Sequence, residues 1–183
     1  MKPSISMKKI LFACISIAFL AACKKEVKEL PGATQNGANT FGAKVNGVLW
    51  APQGFGSFPA NDILEARMAG NVIIINARNF SSSPNETEFQ LTIFNVTAPG
   101  VYLLNTDVSH PDGAASYGYY VKRNITPQNE WITSSIYTGS VTITRIDAVN
   151  MIVSGTFQFN ALNIYNAPEP MTVTEGRFDL KIQ

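Results

Sequence analysis

Hydrophobic and polar residues alternate along most of the chain after residue 40, with the period of a β-strand that buries one face. The clearest example runs from Val153 to Ala161, where every second residue is apolar or glycine and the residues between are polar. The segments 64–68 and 89–93 follow the same pattern. Residues 72–75 are instead an unbroken run of valine and isoleucine, which predicts a central strand covered on both faces.

Two local signals predict how these strands turn and where one of them changes face. Asn46-Gly47, between two alternating segments, is typical of a two-residue hairpin turn of type I′. In the last strand the apolar positions are Met171 and Val173, but further on Phe178 has the opposite parity. A strand cannot change its buried face without an extra residue, so we predict a β-bulge at Glu175-Gly176.

About nine or ten short strands separated by turn signals predict an all-β domain. The expected architecture is an antiparallel β-sandwich, with a partly open β-barrel as the alternative. We expect a single domain over residues 40–183, because a length near 150 residues is typical of one hydrophobic core.

The first 22 residues have the layout of a secretory signal peptide, with lysines followed by an apolar run over residues 10–22. The run is too short to span a bilayer, which takes about 20 apolar residues. Leu20-Ala21-Ala22-Cys23 is typical of a bacterial lipoprotein signal, in which Cys23 becomes the lipid-bearing N-terminus. We therefore expect membrane attachment through lipid on Cys23 and a flexible tether over residues 23–39. The alternative is a plain signal peptide that leaves Cys23 as an ordinary thiol.

Charge and cysteine content narrow the partners of the mature chain. Removal of residues 1–22 takes away three of the 14 Lys and Arg residues, so 11 remain against 13 acidic residues, a net charge of −2. No large basic field is left to attract nucleic acid. Lipidation would use the one remaining cysteine, so the core must hold without disulfides. Translation can begin at Met1 or at Met7, because a chain that starts at Met7 still carries Lys8 and Lys9 before the apolar run.

Catalytic and metal-binding motifs are missing from the sequence, so we expect a non-enzymatic protein without a cofactor. A zinc site needs three or four nitrogen or sulfur ligands, and His110 is the single histidine. Asp107, His110 and Asp112 lie together around a Pro-Asp-Gly sequence that predicts a turn, with a weak metal or acid–base role as the alternative. A hydrolase built on paired carboxylates stays open, because their separation cannot be read from sequence. The carboxylates on polar strand faces are Glu65, Glu88 and Asp179.

An aromatic-rich stretch supplies the candidate binding surface. It contains Tyr117, Tyr119 and Tyr120, followed by Trp131. Tyrosine and tryptophan are favoured at contact surfaces, so these four are candidate ligand-contact residues for a glycan or a protein partner. The alternative is core packing, with Tyr117 and Tyr119 filling the core from one strand face and Tyr120 at an edge.

Three segments resemble an uncharacterised lipoprotein family that is common in Bacteroidota. They are Phe41–Trp50, Val153–Asn160 and Val173–Asp179. The resemblance spans residues 41–182 and implies an outer-membrane or surface lipoprotein of unknown function, without catalytic residues. In such bacteria, acidic residues after the lipidated cysteine are associated with surface display. Three lysines among residues 24–28 interrupt them here, so the periplasmic and surface orientations both stay open.

Together these patterns favour a lipid-anchored, non-catalytic binding or accessory module in the cell envelope. A structural component of a membrane assembly is the alternative, and the carboxylate hydrolase is less favoured.

Overall fold

The computed structural model describes residues 27–54, 63–82, 85–123, 129–165 and 168–183. Cys23 and the rest of the signal region lie outside the described residues. Within these ranges the regular structure is β throughout, in eleven strands where nine or ten were expected. They are β1 (Thr40–Val45), β2 (Val48–Trp50), β3 (Leu64–Ala69), β4 (Val72–Asn79), β5 (Thr87–Ile93), β6 (Gly100–Leu104), β7 (Tyr117–Lys122), β8 (Asn129–Ile132), β9 (Gly139–Asp147), β10 (Ile152–Asn163) and β11 (Pro170–Lys181). None of the described residues forms a helix long and apolar enough to cross a bilayer.

The strands form one antiparallel sheet in the order β2-β1-β11-β10-β8-β7-β5-β4-β3. The long strand β10 changes partner along its length, pairing first with β9 and then with β8, while β6 pairs with β9. The sheet curls until β3 approaches the end of β11, where the Gln183 N–H donates to the Ala66 carbonyl at 2.8 Å. The result is a half-barrel, which confirms the predicted all-β sandwich or partly open barrel.

The concave face of the sheet holds one hydrophobic core centred on aromatic rings. Phe89 lies in the middle, with the centroids of five neighbouring rings 4.6–6.2 Å away. Those neighbours are Phe41, Trp50, Tyr120, Phe157 and Phe159. The rings meet in edge-on and tilted arrangements, which aromatic pairs prefer over face-to-face stacking. Because these six rings come from five different strands, they join the two sides of the curled sheet.

The predicted turn and the predicted bulge are both confirmed. Asn46 and Gly47 have φ angles of 48° and 80°, as a type I′ turn requires at both central positions. Along β10 and β11, Phe157 pairs with Gly176, but Phe159, two residues further, pairs with Val173. One extra residue of β11 therefore lies between the two pairs, and Glu175 takes a φ of 54° there. The bulge lets both apolar sets of β11 face the core.

The prediction for residues 72–75 is correct for one face of β4 and wrong for the other. Ile73 and Ile75 are fully buried, whereas Val72 and Ile74 are only half-buried. β4 lies next to the end strand of the sheet, between β3 and β5. β-Branched residues suit a strand even where its outer face is partly exposed, so such a run does not require cover on both sides.

Candidate functional site

The segment before β1 lies across the convex, outer face of the sheet. We call residues 27–39 the strap. At its start, Val27 shares a small cavity with Val48 of β2. Pro31 then passes over β1 so closely that a methyl group at Gly42 would lie 2.7 Å from the Pro31 Cδ. The Pro31 carbonyl accepts a hydrogen bond from Arg177 Nη1 of β11 at 3.3 Å. The described part of the expected tether is therefore docked on the domain.

The strap continues over β10 and reaches β9 before it turns back into β1. The Gln35 carbonyl accepts a hydrogen bond from Arg145 of β9. A methyl group at Gly37 would lie 3.1 Å from the Ile152 side chain of β10. On the return, the Asn39 carboxamide oxygen accepts from the Lys181 N–H at 2.9 Å. The strap thus contacts or overlies five neighbouring strands, from β2 to β9.

A single buried carboxylate, Asp179 of β11, holds the strap in place. It accepts five hydrogen bonds of 2.7–3.1 Å, and we call this group the Asp179 clasp. The donors are the Thr34 and Ser154 hydroxyls and the backbone N–H groups of Asn36, Gly37 and Ala38. Gly37 has a φ of 72°, which turns successive N–H groups towards the same oxygens. Although burial alone would raise the pKa of Asp179, these hydrogen bonds lower it well below its usual range.

The four candidate aromatic residues are buried on two different faces. Tyr120 and Trp131 are cross-strand neighbours in the main core, with ring centroids 5.8 Å apart, so Tyr120 does not lie at an edge. Tyr117 and Tyr119 point to the outer face of β7, beneath the loop of residues 105–116. None of the four is more than 8% exposed, so none presents an open ring for stacking. Their burial favours the core-packing alternative, and a role in ligand contact stays a prediction.

His110 closes the loop over these outer tyrosines. Its ring stacks on Tyr119 at a centroid distance of 3.7 Å, and its Nδ1 lies 3.2 Å from the Tyr117 hydroxyl. Burial lowers the pKa of His110, against the opposing effect of the nearby Glu130 and Glu88 carboxylates. Burial also raises the pKa of Tyr119, and its hydrogen bond to Glu130 acts in the same direction. His110 is thus held as a neutral, stacked ring at neutral pH.

The acidic residues around His110 have separate structural partners. Asp112 Oδ1 accepts hydrogen bonds from the N–H groups of Ala114 and Ala115, which confirms the predicted turn. Asp107 accepts from both the N–H and the hydroxyl of Ser135. These bonds lower the pKa of Asp107. The two carboxylates therefore support the loop at different places.

Glu65 and Glu88, two of the carboxylates on polar strand faces, form ion pairs. Glu88 lies between Arg78 and Arg123, at 3.2 Å from each guanidinium. Glu65 pairs with Arg67, two residues further along β3. Among the residues that the structure describes, no three His, Cys, Asp or Glu side chains are grouped as a metal site would need.

A groove of about 910 Å³ lies where β3 comes back towards β1 and β11. We call it the seam groove. Its apolar lining includes Leu30 of the strap, Phe41 of β1, Leu64 of β3 and Ile182 after β11. Its polar lining consists of Glu29, Asn39, Thr40, Lys181 and Gln183. Sequence reasoning missed this groove because its walls come from five separate segments of the chain, which meet only when the sheet curls.

The match to a known family covers nearly all of the β domain. A family model described as "Domain of unknown function (DUF6252)" matches residues 38–179. The chain belongs to the DUF6252 family. The expected membership of a family of unknown function is thereby confirmed. No curated protein and no solved structure matches the chain.

The DUF6252 match divides the strap at the clasp. It begins at Ala38 and ends at Asp179, so it contains the carboxylate and one of its strap donors. Strap residues 27–37 precede the match. The seam groove is shared in the same way, because Leu30 and Ile182 lie outside the matched residues and Phe41 and Leu64 lie inside them.

Proposed function

We propose that this protein is a lipid-anchored outer-membrane lipoprotein whose β domain is a non-catalytic binding module. The lipid is carried by Cys23, and the ligand site is the seam groove. The observation that carries the binding role is the groove itself, since concave sites with apolar walls and a few polar groups are typical of ligand pockets.

The lining of the seam groove suits binding better than chemistry. Leu30, Ile63 and Leu64 are half-buried and supply apolar surface, while the Gln183 side chain offers an amide donor and acceptor. Such a mixture fits a glycan or a segment of a protein partner. Groups with strongly shifted pKa values, such as Asp179 and Tyr119, lie in the clasp and beneath the loop of residues 105–116 instead.

The anchor is tested by fatty-acid labelling in cells. The wild-type protein should incorporate a radioactive fatty acid and sediment with membranes. The Cys23→Ser variant should do neither, because it lacks the sulfur that forms the thioether. Labelling and sedimentation of the variant at wild-type levels would refute the anchor.

The groove is tested by obstructing it. Ala51 lines the seam groove, and Ala51→Trp should fill part of it. Ala148 is exposed in the β9–β10 turn, so Ala148→Trp is the matched control. The three proteins are purified from native membranes, and co-purifying molecules are identified by mass spectrometry. A ligand retained by wild type and Ala148→Trp but lost from Ala51→Trp supports the site; equal retention in all three contradicts it.

A role in a membrane assembly is a second candidate, and one observation favours it. Strand β6 pairs with β9, and its Val101 and Leu103 side chains are exposed on the outer face. Exposed aliphatic residues on a strand near a sheet edge are suited to protein contact. The Leu103→Lys variant should reduce the size of any native complex on blue-native gels. Val149→Lys in the β9–β10 turn is the control, and an unchanged complex in Leu103→Lys would rule out this surface.

A further inference from the structure

The Asp179 clasp fixes the place from which the chain leaves the domain. Residues 34–38 are held on β11 by hydrogen bonds, and Pro31 is held on β1 and β11. The strap then runs towards β2, where Val27 and Val48 of the β1–β2 hairpin line the same small cavity. Any anchor before Val27 is therefore attached to the β2 end of the sheet.

The chain between the anchor and the docked strap is short. Four residue steps separate Cys23 from Val27, and an extended chain advances at most about 3.6 Å per residue. The reach is thus about 14 Å, whereas 16 flexible residues would have allowed a root-mean-square span of about 20–24 Å. A lipid on Cys23 consequently keeps the β2 end of the domain close to the bilayer.

The surface at that end has exposed apolar groups. Val48 is 69% exposed at the tip of the hairpin, and Val27 and Leu49 beside it are half-buried. Lys28 is exposed next to them. Aliphatic side chains flanked by a lysine suit the interfacial region of a membrane, where the stems bury and the charge stays in water.

We propose that the clasped strap holds the β2 hairpin against the bilayer, so that the domain contacts lipid through Val27, Val48 and Leu49 instead of standing off. This inference rests on the proposed lipid at Cys23. It commits to a lipid surface as the partner of this patch. The opposite end of the sheet then faces away from the membrane.

The test compares two exposed valines at opposite ends of the sheet. Val48 is in the β1–β2 hairpin, and Val149, 91% exposed, is in the β9–β10 hairpin. On β11 the β1–β2 hairpin lies level with Val173 and the β9–β10 hairpin lies level with Lys181. The two positions are about 23–26 Å apart along the strand, at about 3.3 Å per residue over seven residues of β10 or eight of β11. Once Cys23 is lipidated, a cysteine placed at either valine is the single free thiol of the mature chain.

The lipidated Val48→Cys and Val149→Cys proteins are labelled with a fluorophore and bound to phosphatidylethanolamine vesicles. The vesicles contain a phospholipid with a nitroxide on its headgroup. Quenching should be several-fold stronger at position 48 than at position 149. Equal quenching at the two positions, or stronger quenching at position 149, would overturn the proposal.

A third protein tests the effect of the short segment between Cys23 and Val27 separately from that of the hairpin surface, and leaves the folded domain unchanged. A 16-residue Gly-Ser insertion directly after Cys23 lengthens the reach of the chain but alters no docked residue. In this protein the quenching at position 48 should fall towards the value at position 149. If quenching at position 48 is as strong with the insertion as without it, the short segment between Cys23 and Val27 does not hold the hairpin at the membrane. Failure of the proposed function has a different result, since an unlipidated protein would not bind the vesicles at all.

Discussion

Replacing Asp179 with asparagine is the sharpest test of the clasp. The change keeps the shape of the side chain, removes its charge and replaces one acceptor oxygen with an NH₂ group, which is a donor. That new NH₂ group would face hydrogen-bond donors of the strap, because Asp179 Oδ2 accepts from Thr34, Asn36 and Ala38. The variant should therefore loosen the strap and destabilise the domain.

The size of the stability loss in Asp179→Asn depends on how deeply each hydrogen bond of the clasp is buried. Asp179 is 1% exposed, and its bonds from the Gly37 N–H and the Ser154 hydroxyl are fully buried. Hydrogen bonds to charged groups contribute about 1.5–3 kcal/mol each. The three part-buried donors can turn to water once the strap is released, so their loss costs less. We expect Asp179→Asn to lower the free energy of unfolding by about 3 kcal/mol, or Tm by about 10 °C.

The assay is thermal unfolding combined with hydrogen exchange. Glu175→Gln is the control, because Glu175 lies on the same strand in an exposed pair with Lys44 at 2.5 Å. Such pairs contribute about 0–1 kcal/mol. The backbone N–H groups of Gly37 and Ala38 should exchange much faster in Asp179→Asn than in the control. Equal Tm values for the two variants, with Gly37 and Ala38 still protected, would refute the reasoning.

The same carboxylate gives the stability a pH dependence of known sign. The pKa of Asp179 in the folded state is lowered from its ordinary value of 3.8. The stabilisation from ionised Asp179 is therefore complete above that ordinary value. This stabilisation is lost as the pH falls below 3.8 towards the lower pKa of the folded state. Wild type should lose stability relative to Asp179→Asn as the pH is lowered below about 4. Parallel stability curves for the two proteins would contradict the assignment.

Three further predictions concern the sheet and the loop over its outer face. A methyl group at Gly155 would lie 2.3 Å from a backbone oxygen of β9, so Gly155→Ala should cost about 1–3 kcal/mol in denaturant unfolding, whereas Gly113→Ala, in open space, should cost little. Tyr119→Phe removes the hydroxyl that bonds Glu130 and should destabilise by about 1–3 kcal/mol, with an unchanged Tm as the contrary result. Burial lowers the pKa of His110, so its contribution to stability is complete above pH 6.5 and is lost as the pH falls through the lower pKa of the folded state. NMR titration of the His110 ring should show a pKa below 6.5. A titration midpoint at 6.5 or above would contradict this prediction.

Alternation and turn chemistry predicted much of the fold because they depend on neighbouring residues. The parity change between Val173 and Phe178 located the bulge, and Asn46-Gly47 located a hairpin. These signals show which face of a strand points inward. They carry no information about what covers the outward face.

The clasp and the outer tyrosines illustrate that limit. Asp179 alternates with apolar residues and was expected to face solvent, yet residues more than 140 positions earlier cover it. Tyr117 and Tyr119 likewise face outward from β7 and are covered by the loop that carries His110. One signal for Asp179 was local, because aspartate is depleted in strands and such a residue within β11 calls for partners.

The anchor at Cys23 is the central claim of this account, and mass spectrometry of the N-terminal peptide tests it most directly. The protein is extracted from native membranes with detergent, and its N-terminal peptide is sequenced by mass spectrometry. We predict a peptide that begins at Cys23 and carries a diacylglyceryl thioether together with an acylated amino group. An N-terminus at another residue, or an unmodified Cys23 thiol, would contradict the account.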